Sequence, residues 1–161
     1  MTLYRDAYAP TERVAGGVVE GRRRIAVIGI DQYEQPWGKL QNAVNDARGV
    51  LAIFKELGFE PACDPLLDGA ATRDALNRLV KDQLRVSARE GDSLIVFFAG
   101  HGHTDKTSVA KRGYLIPIDA DPPDGSRDTW IRLDDWLGSL AELDHQHVLA
   151  ILDSCRSGIV L

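Results

Sequence analysis

Apolar residues fall along this chain in short blocks, and the blocks alternate between two periods. Residues 24–30 (Arg-Ile-Ala-Val-Ile-Gly-Ile), 93–98 (Ser-Leu-Ile-Val-Phe-Phe) and 147–152 (His-Val-Leu-Ala-Ile-Leu) are continuous apolar runs of strand length. Such runs suit strands covered on both faces, as in a parallel sheet. Between them the spacing turns helical. Leu40, Ala43, Val44, Ala47, Val50, Leu51, Phe54 and Leu57 recur on one face, and Gly58 is placed to stop that helix. Ala75, Leu76, Leu79, Val80 and Leu84 form a second such face behind Thr72, a good N-cap. Leu133, Trp136, Leu137, Leu140 and Leu143 predict a third helix over 131–143. Asp134 and Asp135 stand near its start, where the helix dipole favours negative charge. Residues 59–64 read as a short strand and 104–112 as a polar, mobile loop. Residues 113–119 read as a strand or extended piece that Pro117 keeps out of a central ladder position. Residues 121–128 are a Pro/Gly/Asp loop.

The order strand, helix, strand, helix, strand, extended piece, helix, strand predicts an α/β fold with a mainly parallel sheet. Residues 1–21 hold no sustained period and read as an N-terminal arm. The remainder, 22–161, reads as one domain, long enough for a real core.

Composition narrows the function classes. With 44% hydrophobic and 27% charged residues the chain matches an ordinary globular domain. A net charge of −5 gives no reason to expect nucleic-acid binding, and Arg22-Arg23-Arg24 reads as a solvated strand entrance. No apolar run reaches the length of a membrane span, and the first ten residues lack the apolar segment of a signal peptide. The two cysteines, Cys63 and Cys155, are far apart in sequence, which argues against a disulfide framework and fits a reducing cytoplasm.

The candidate chemistry sits where the strands end. Sites in open α/β sheets form outside the carboxyl ends of the strands. Three such ends carry Asp31, His101 and Cys155. A thiol is a good nucleophile once ionised, and a neighbouring imidazole maintains the thiolate and donates a proton to the leaving amine. Gly102 leaves room for a substrate backbone, and its N–H can join that of Cys155 in an oxyanion hole. His101 and His103 suggest metal ligands as an alternative, but no third and fourth ligand follow at a workable spacing. Cys63 reads as structural.

Ala99-Gly100-His101-Gly102 and Asp153-Ser154-Cys155-Arg156-Ser157-Gly158 resemble the two catalytic motifs of the caspase-like cysteine peptidases, family C14, and especially of metacaspases and bacterial orthocaspases. Residues 24–33 resemble the family's first strand and the loop after it; 40–47, 113–119 and 131–137 resemble further segments. The resemblance implies a three-layer sandwich with helices on both faces of the sheet. It also implies that His101 is the catalytic histidine and Cys155 the nucleophile. Asp46 and Asp153 match the acidic pair lining the S1 pocket of metacaspases, with Asp31 a further contact. Two buried carboxylates there favour a guanidinium or ammonium and disfavour Asp, so cleavage is expected after Arg or Lys.

Some positions depart from the family pattern. Arg156 stands where many members have His or Phe, Ala99 replaces a Ser, and Ala43 replaces a Cys. Asp134-Asp135 matches part of the calcium site of calcium-dependent metacaspases, but Lys106, Lys111 and Arg112 stand where other acidic ligands are sought. The aspartate pair is therefore read as helix-start charge, and no cofactor is expected. Family catalytic domains continue past the nucleophile into a small subunit, whereas this sequence has six residues after Cys155. Residues 22–161 are thus expected to be the large-subunit portion, completed by a small-subunit chain or a C-terminal remainder. The expected partners are a protein or peptide substrate, that completing chain and a regulatory protein, with no nucleic acid and no membrane. Two alternatives stand beside the peptidase: a caspase-like regulatory or scaffold module dependent on a partner chain, and another thiol hydrolase or acyltransferase. Loss of the acidic pair would favour the last, and the pair is present.

Overall fold

The structure is a computed structural model and describes residues 21–105 and 111–154. The N-terminal arm, the loop segment 106–110 and the turn from Cys155 onward lie outside the described residues, so nothing structural is stated of them. Twelve helices and strands are used below. They are β1 (Arg23–Gly29), α1 (Ala43–Glu56), β2 (Glu60–Pro61), β3 (Leu66–Leu67), α2 (Arg73–Arg78), α3 (Leu84–Ser87), β4 (Ser93–Ala99), β5 (Gly102–Asp105), β6 (Arg112–Leu115), β7 (Ile131–Arg132), α4 (Leu133–Ala141) and β8 (His147–Asp153).

The three continuous apolar runs pair as parallel strands in the order β2-β1-β4-β8, with β3 also pairing β1. Side chains alternate across the sheet with period two. Ile25, Val27, Ile95, Phe97 and Ala99 face one side and pack on Ala43 and Ala47 of α1. Ala26, Ile28, Leu94, Val96 and Phe98 face the other side, against Leu76 of α2, Leu84 of α3 and Leu133, Trp136 and Leu140 of α4. Helices on both faces of a mainly parallel sheet make the three-layer α/β sandwich that the family resemblance implies.

The helix signals hold in detail. Gly58 takes a left-handed backbone (φ +83°) after α1. The Phe59 N–H then donates to the Phe54 carbonyl at 2.9 Å and the Gly58 N–H to that of Lys55 at 3.0 Å. The Phe54 and Phe59 rings meet at 5.2 Å, completing a Schellman cap with its apolar contact. Thr72 Oγ1 accepts from the Ala75 N–H at 3.2 Å and starts α2, as expected.

Four details differ from the sequence reading. The second helix is interrupted: a π turn over Leu79–Gln83 separates α2 from α3 and keeps Leu79 and Val80 buried. The second strand shrinks to Glu60–Pro61, and β3 supplies a further short pairing. Thr104 and Asp105 are strand, not loop: β5 and β6 pair antiparallel from Gly102↔Leu115 to Asp105↔Arg112, and β7 adds to β6. This small second sheet takes the extended piece near Pro117 out of the main sheet. Residues 131 and 132 belong to β7, so α4 begins at Leu133 with Asp134 and Asp135 in its first turn.

At the amino ends of the strands, Arg22 and Asp92 clamp the sheet. Arg22 donates its backbone N–H to Asp92 Oδ1 at 2.8 Å and its Nη2 to Oδ2 at 2.6 Å. The Asp92 carbonyl accepts from the Gln146 N–H at 2.8 Å, which ties in the approach to β8.

Candidate active site

The β4–β8 ladder runs in unbroken register from Ser93↔His147 to Ala99↔Asp153, a constant offset of 54 residues. His101 and Cys155 differ by the same number, 155 − 101 = 54. The two groups therefore follow adjacent parallel strands at the same step beyond the last paired residue. The Gly100 N–H donates to the Asp153 carbonyl at 3.2 Å and carries the ladder one step further. Beyond it, a methyl group placed at Gly102 would stand 2.9 Å from Ser154 Oγ. The histidine loop and the residue before Cys155 thus approach closely, and a side chain at Gly102 would have to push the Ser154 hydroxyl aside. Cys155 itself lies outside the described residues, so its half of the thiol–imidazole pair has no geometry here.

His101 is held on three sides. Its Nε2 lies 2.9 Å from the Gly38 carbonyl oxygen. A carbonyl only accepts, so this bond places a proton on Nε2 and leaves Nδ1 of the neutral ring as the acceptor. The His101 backbone N–H donates to the Tyr33 hydroxyl at 3.0 Å, and that hydroxyl donates to the Ile116 carbonyl at 2.8 Å. Tyr33 is buried, and burial pushes its hydroxyl well above the usual phenol range. Its ring stacks at a tilt on the imidazole, with centroids 4.6 Å apart. Trp37 packs on the same imidazole at 6.2 Å and on Trp130 at 5.3 Å. Both indole N–H groups donate to the Asp121 carbonyl, at 3.1 and 2.8 Å. Trp130 also meets His103 at 5.0 Å, and Arg127 lies over Trp130 while pairing with the buried Asp105. The loop bearing Gly38 is therefore fixed to the small second sheet.

A cavity of about 240 Å³ opens where β4 and β8 end. Gln41, Asn42, Asp46, Ala99, Gly100 and Asp153 are among its walls. This brings together Asp46, from the first turn of α1, and Asp153, the last residue of β8. Both are exposed rather than buried, which corrects the expectation of a buried acidic pair.

Asp31 is placed differently. It is buried, and its two carboxylate oxygens accept from the Ala43 N–H at 2.8 Å and the Val44 N–H at 3.1 Å. Asn42, the residue in the N-cap position, makes no side-chain cap, so Asp31 caps α1 from a distance. It does not line the cavity with Asp46 and Asp153. Asp134 and Asp135 occupy the first turn of α4, and Asp135 faces Arg132 at 3.6 Å. Among the described residues no group of three or more acidic, histidine or cysteine side chains is placed to hold a metal ion. The Cys63 thiol is half-buried, and burial together with Asp64 pushes it up to about 11, which disfavours thiolate chemistry.

Sequence reasoning missed Tyr33, the Gly38 carbonyl and the Trp37–Trp130 support. Tyr33 had a faint signal, lying two residues beyond Asp31 at the end of the first strand. The carbonyl had none, because every residue has one.

A model of the caspase domain of C14 peptidases matches residues 22–161. The chain belongs to that family of cysteine peptidases. Among curated relatives, a protein named metacaspase III c from Phaeodactylum tricornutum (strain CCAP 1055/1) is 29% identical over 154 residues, covering 88% of this chain and 44% of the relative. Metacaspase-2 from Arabidopsis thaliana is 26% identical over 159 residues, covering 89% of this chain and 36% of the relative. The chain thus spans less than half the length of these relatives. Among solved structures, protein GSU0716 from Geobacter sulfurreducens matches with a TM-score of 0.66 and 23% identity, over 85% of this caspase-family chain and 52% of that one. At that identity the likeness speaks for the fold alone. Among the described residues no helix is long and apolar enough to cross a membrane.

Proposed function

We propose that this caspase-family chain is the large-subunit portion of a cysteine endopeptidase that cleaves protein substrates after Arg or Lys. The observation that supports it best is the cavity at the ends of β4 and β8. It joins two carboxylates, Asp46 and Asp153, to the glycine that precedes His101. A guanidinium is matched by such a pair, and an aspartate side chain is repelled.

In this reading His101 Nδ1 takes the proton of the Cys155 thiol while Nε2 stays bonded to Gly38. The thiolate attacks the scissile carbonyl carbon, and the N–H groups of Gly102 and Cys155 hold the oxyanion. His101 then returns the proton to the departing amine. Water hydrolyses the thioester, with His101 accepting its proton. No cofactor enters any of these steps. Asp31 acts by holding the head of α1, which carries Asp46.

A completing chain, either a small subunit or a C-terminal remainder, belongs to this proposal. Among the described residues β8 pairs only with β4, and its Leu149 is 53% exposed. An open strand edge beside an uncovered apolar side chain is a natural seat for further strands. The same feature favours, as a second reading, a regulatory module that depends on a partner chain.

Fluorogenic peptides ending in Arg, Lys or Asp, incubated with the full chain and its natural remainder, decide among these. Turnover after Arg and Lys is expected. Turnover after Asp overturns the pocket assignment, and no turnover with or without calcium favours the regulatory module.

A further inference from the structure

Asp68 opens the tight turn Asp68–Ala70 that follows β3. Among the described residues it is the one non-glycine residue with a left-handed backbone, at φ +43°. That conformation is costly for a residue with a side chain, and Gly69 beside it does not adopt it. Such strain persists only where surrounding contacts hold it.

The contacts lie at the end of β1. β3 pairs with β1 at Ile28↔Leu66 and Gly29↔Leu67, so Asp68 leaves the sheet level with Ile30. Its Oδ1 accepts two backbone N–H groups, from Asp31 at 2.7 Å and from Gln32 at 3.0 Å. The next residue is Tyr33, whose hydroxyl accepts from the His101 N–H and donates to the Ile116 carbonyl. A second route returns to the same turn. The Ile116 N–H donates to the His101 carbonyl at 3.1 Å, the Ile118 N–H to the Ala71 carbonyl at 3.1 Å, and the Ala71 N–H to the Asp68 carbonyl at 2.8 Å. Asp119 Oδ1 adds a tie by accepting from the Arg73 N–H at 2.7 Å. Tyr33, Ala71 and Ile116 are buried, so the circuit runs through packed core, which passes small shifts on.

We propose that Asp68 is a positioning residue for His101, acting through Tyr33 by its side chain and through Ile116 by its main chain. The two bonds at Oδ1 set where Tyr33 stands, and the Tyr33 hydroxyl sets the His101 backbone. The left-handed turn is what points one oxygen at two successive N–H groups. The effect on turnover rests on the peptidase reading of His101; the effect on the imidazole rests on the hydrogen bonds alone.

Two variants separate the parts played by Asp68, in the full chain with its natural remainder. Asp68→Gly takes the left-handed backbone freely but has no acceptor. Asp68→Asn keeps an acceptor oxygen and tolerates the backbone. With an Arg peptide, Asp68→Gly should lower kcat about 10–100-fold with KM close to the parent's, the scale of a small misplacement of a catalytic group. Asp68→Asn should turn over close to the parent. Asp68→Ser, which retains a shorter acceptor, should fall between the two and covers the case of an unstable glycine variant. Nitrogen-15 spectra of the neutral His101 ring give a readout that needs no turnover. The single Nε2-protonated form should persist in Asp68→Asn and give way to mixed tautomers in Asp68→Gly. Thr72→Ala removes the cap of α2 beside the same turn, controls for lost stability, and should leave kcat and the ring unchanged. A parent without turnover counts against the peptidase reading, and the ring spectrum then decides the link to Asp68. A His101 ring in Asp68→Gly identical to the parent's overturns the proposal, as does an Asp68→Asn that behaves like Asp68→Gly.

Discussion

The Gly38 carbonyl oxygen and His101 Nε2 stand 2.9 Å apart, joining a loop after β1 to the histidine after β4. The bond fixes the tautomer of the neutral imidazole and leaves its other nitrogen, Nδ1, as the acceptor. Nitrogen-15 spectra of the neutral His101 ring should therefore find Nε2 protonated, and an Nδ1-protonated ring would contradict the arrangement. Replacing His101 by Ala should lower kcat by about a thousandfold, the usual scale for a lost acid–base group.

Tyr33 supports the same histidine from below. Its hydroxyl bonds the His101 N–H and the Ile116 carbonyl within the core. Tyr33→Phe removes both bonds and strands one of each kind of buried group. A loss of about 1–3 kcal/mol in stability is expected, read by urea unfolding. kcat should fall further than KM rises, because the histidine backbone is what the hydroxyl holds.

The two acidic residues of the cavity separate from Asp31 by experiment. Asp46→Asn and Asp153→Asn should each lower kcat/KM for Arg peptides by about 10–100-fold, with unfolding midpoints close to the parent. Asp31→Ala should do the reverse, costing about 1–2 kcal/mol through the head of α1. Selectivity between Arg and Asp peptides should be unchanged. A loss of selectivity in Asp31→Ala would return that residue to the pocket.

Asp92 gives a pH signature. Its burial alone would raise the carboxyl, but the hydrogen bonds and charge of Arg22 outweigh this and hold it below the usual carboxylate range. A folded-state value below the unfolded one means the pair contributes fully above the ordinary range, near pH 4. That contribution disappears as pH falls through the lowered folded value. The parent should thus lose stability across that acid window, and Asp92→Asn should show a shallower acid limb. At neutral pH the variant should melt lower by about 5 °C or more.

The strands, the helix faces and the stop at Gly58 were legible because burial on a sheet or helix imposes a period that residue type reveals. The motif around His101 was legible because glycines, a histidine and a preceding apolar run seldom share eleven residues for packing reasons alone. The duty of Asp31 was not. One aspartate at a strand end has the same letter whether it meets a substrate or two helix N–H groups, and only Ala43 and Val44 coming within 3.1 Å distinguishes them. The β5–β6 hairpin was hidden for a similar reason. Thr104 and Asp105 look like loop residues, yet pairing with Gly113 and Arg112 makes them strand. The break between α2 and α3 left no mark, since the helical spacing continues across Leu79 and Val80.

The fixed offset of 54 between β4 and β8 works as a ruler that does not pass through the chain joining them. Side-chain burial sets which residues pair, while the connecting segment only has to reach. Length changes in the Pro/Gly/Asp loop at 121–128 should therefore leave the two strand ends level. A single deletion between Leu94 and Phe98 would instead exchange the β4 residues that face α1 with those that face α2 and α4, and draw His101 one step short of the end of β8. Natural variation in this protein should accordingly be tolerant of indels in the first place and intolerant in the second.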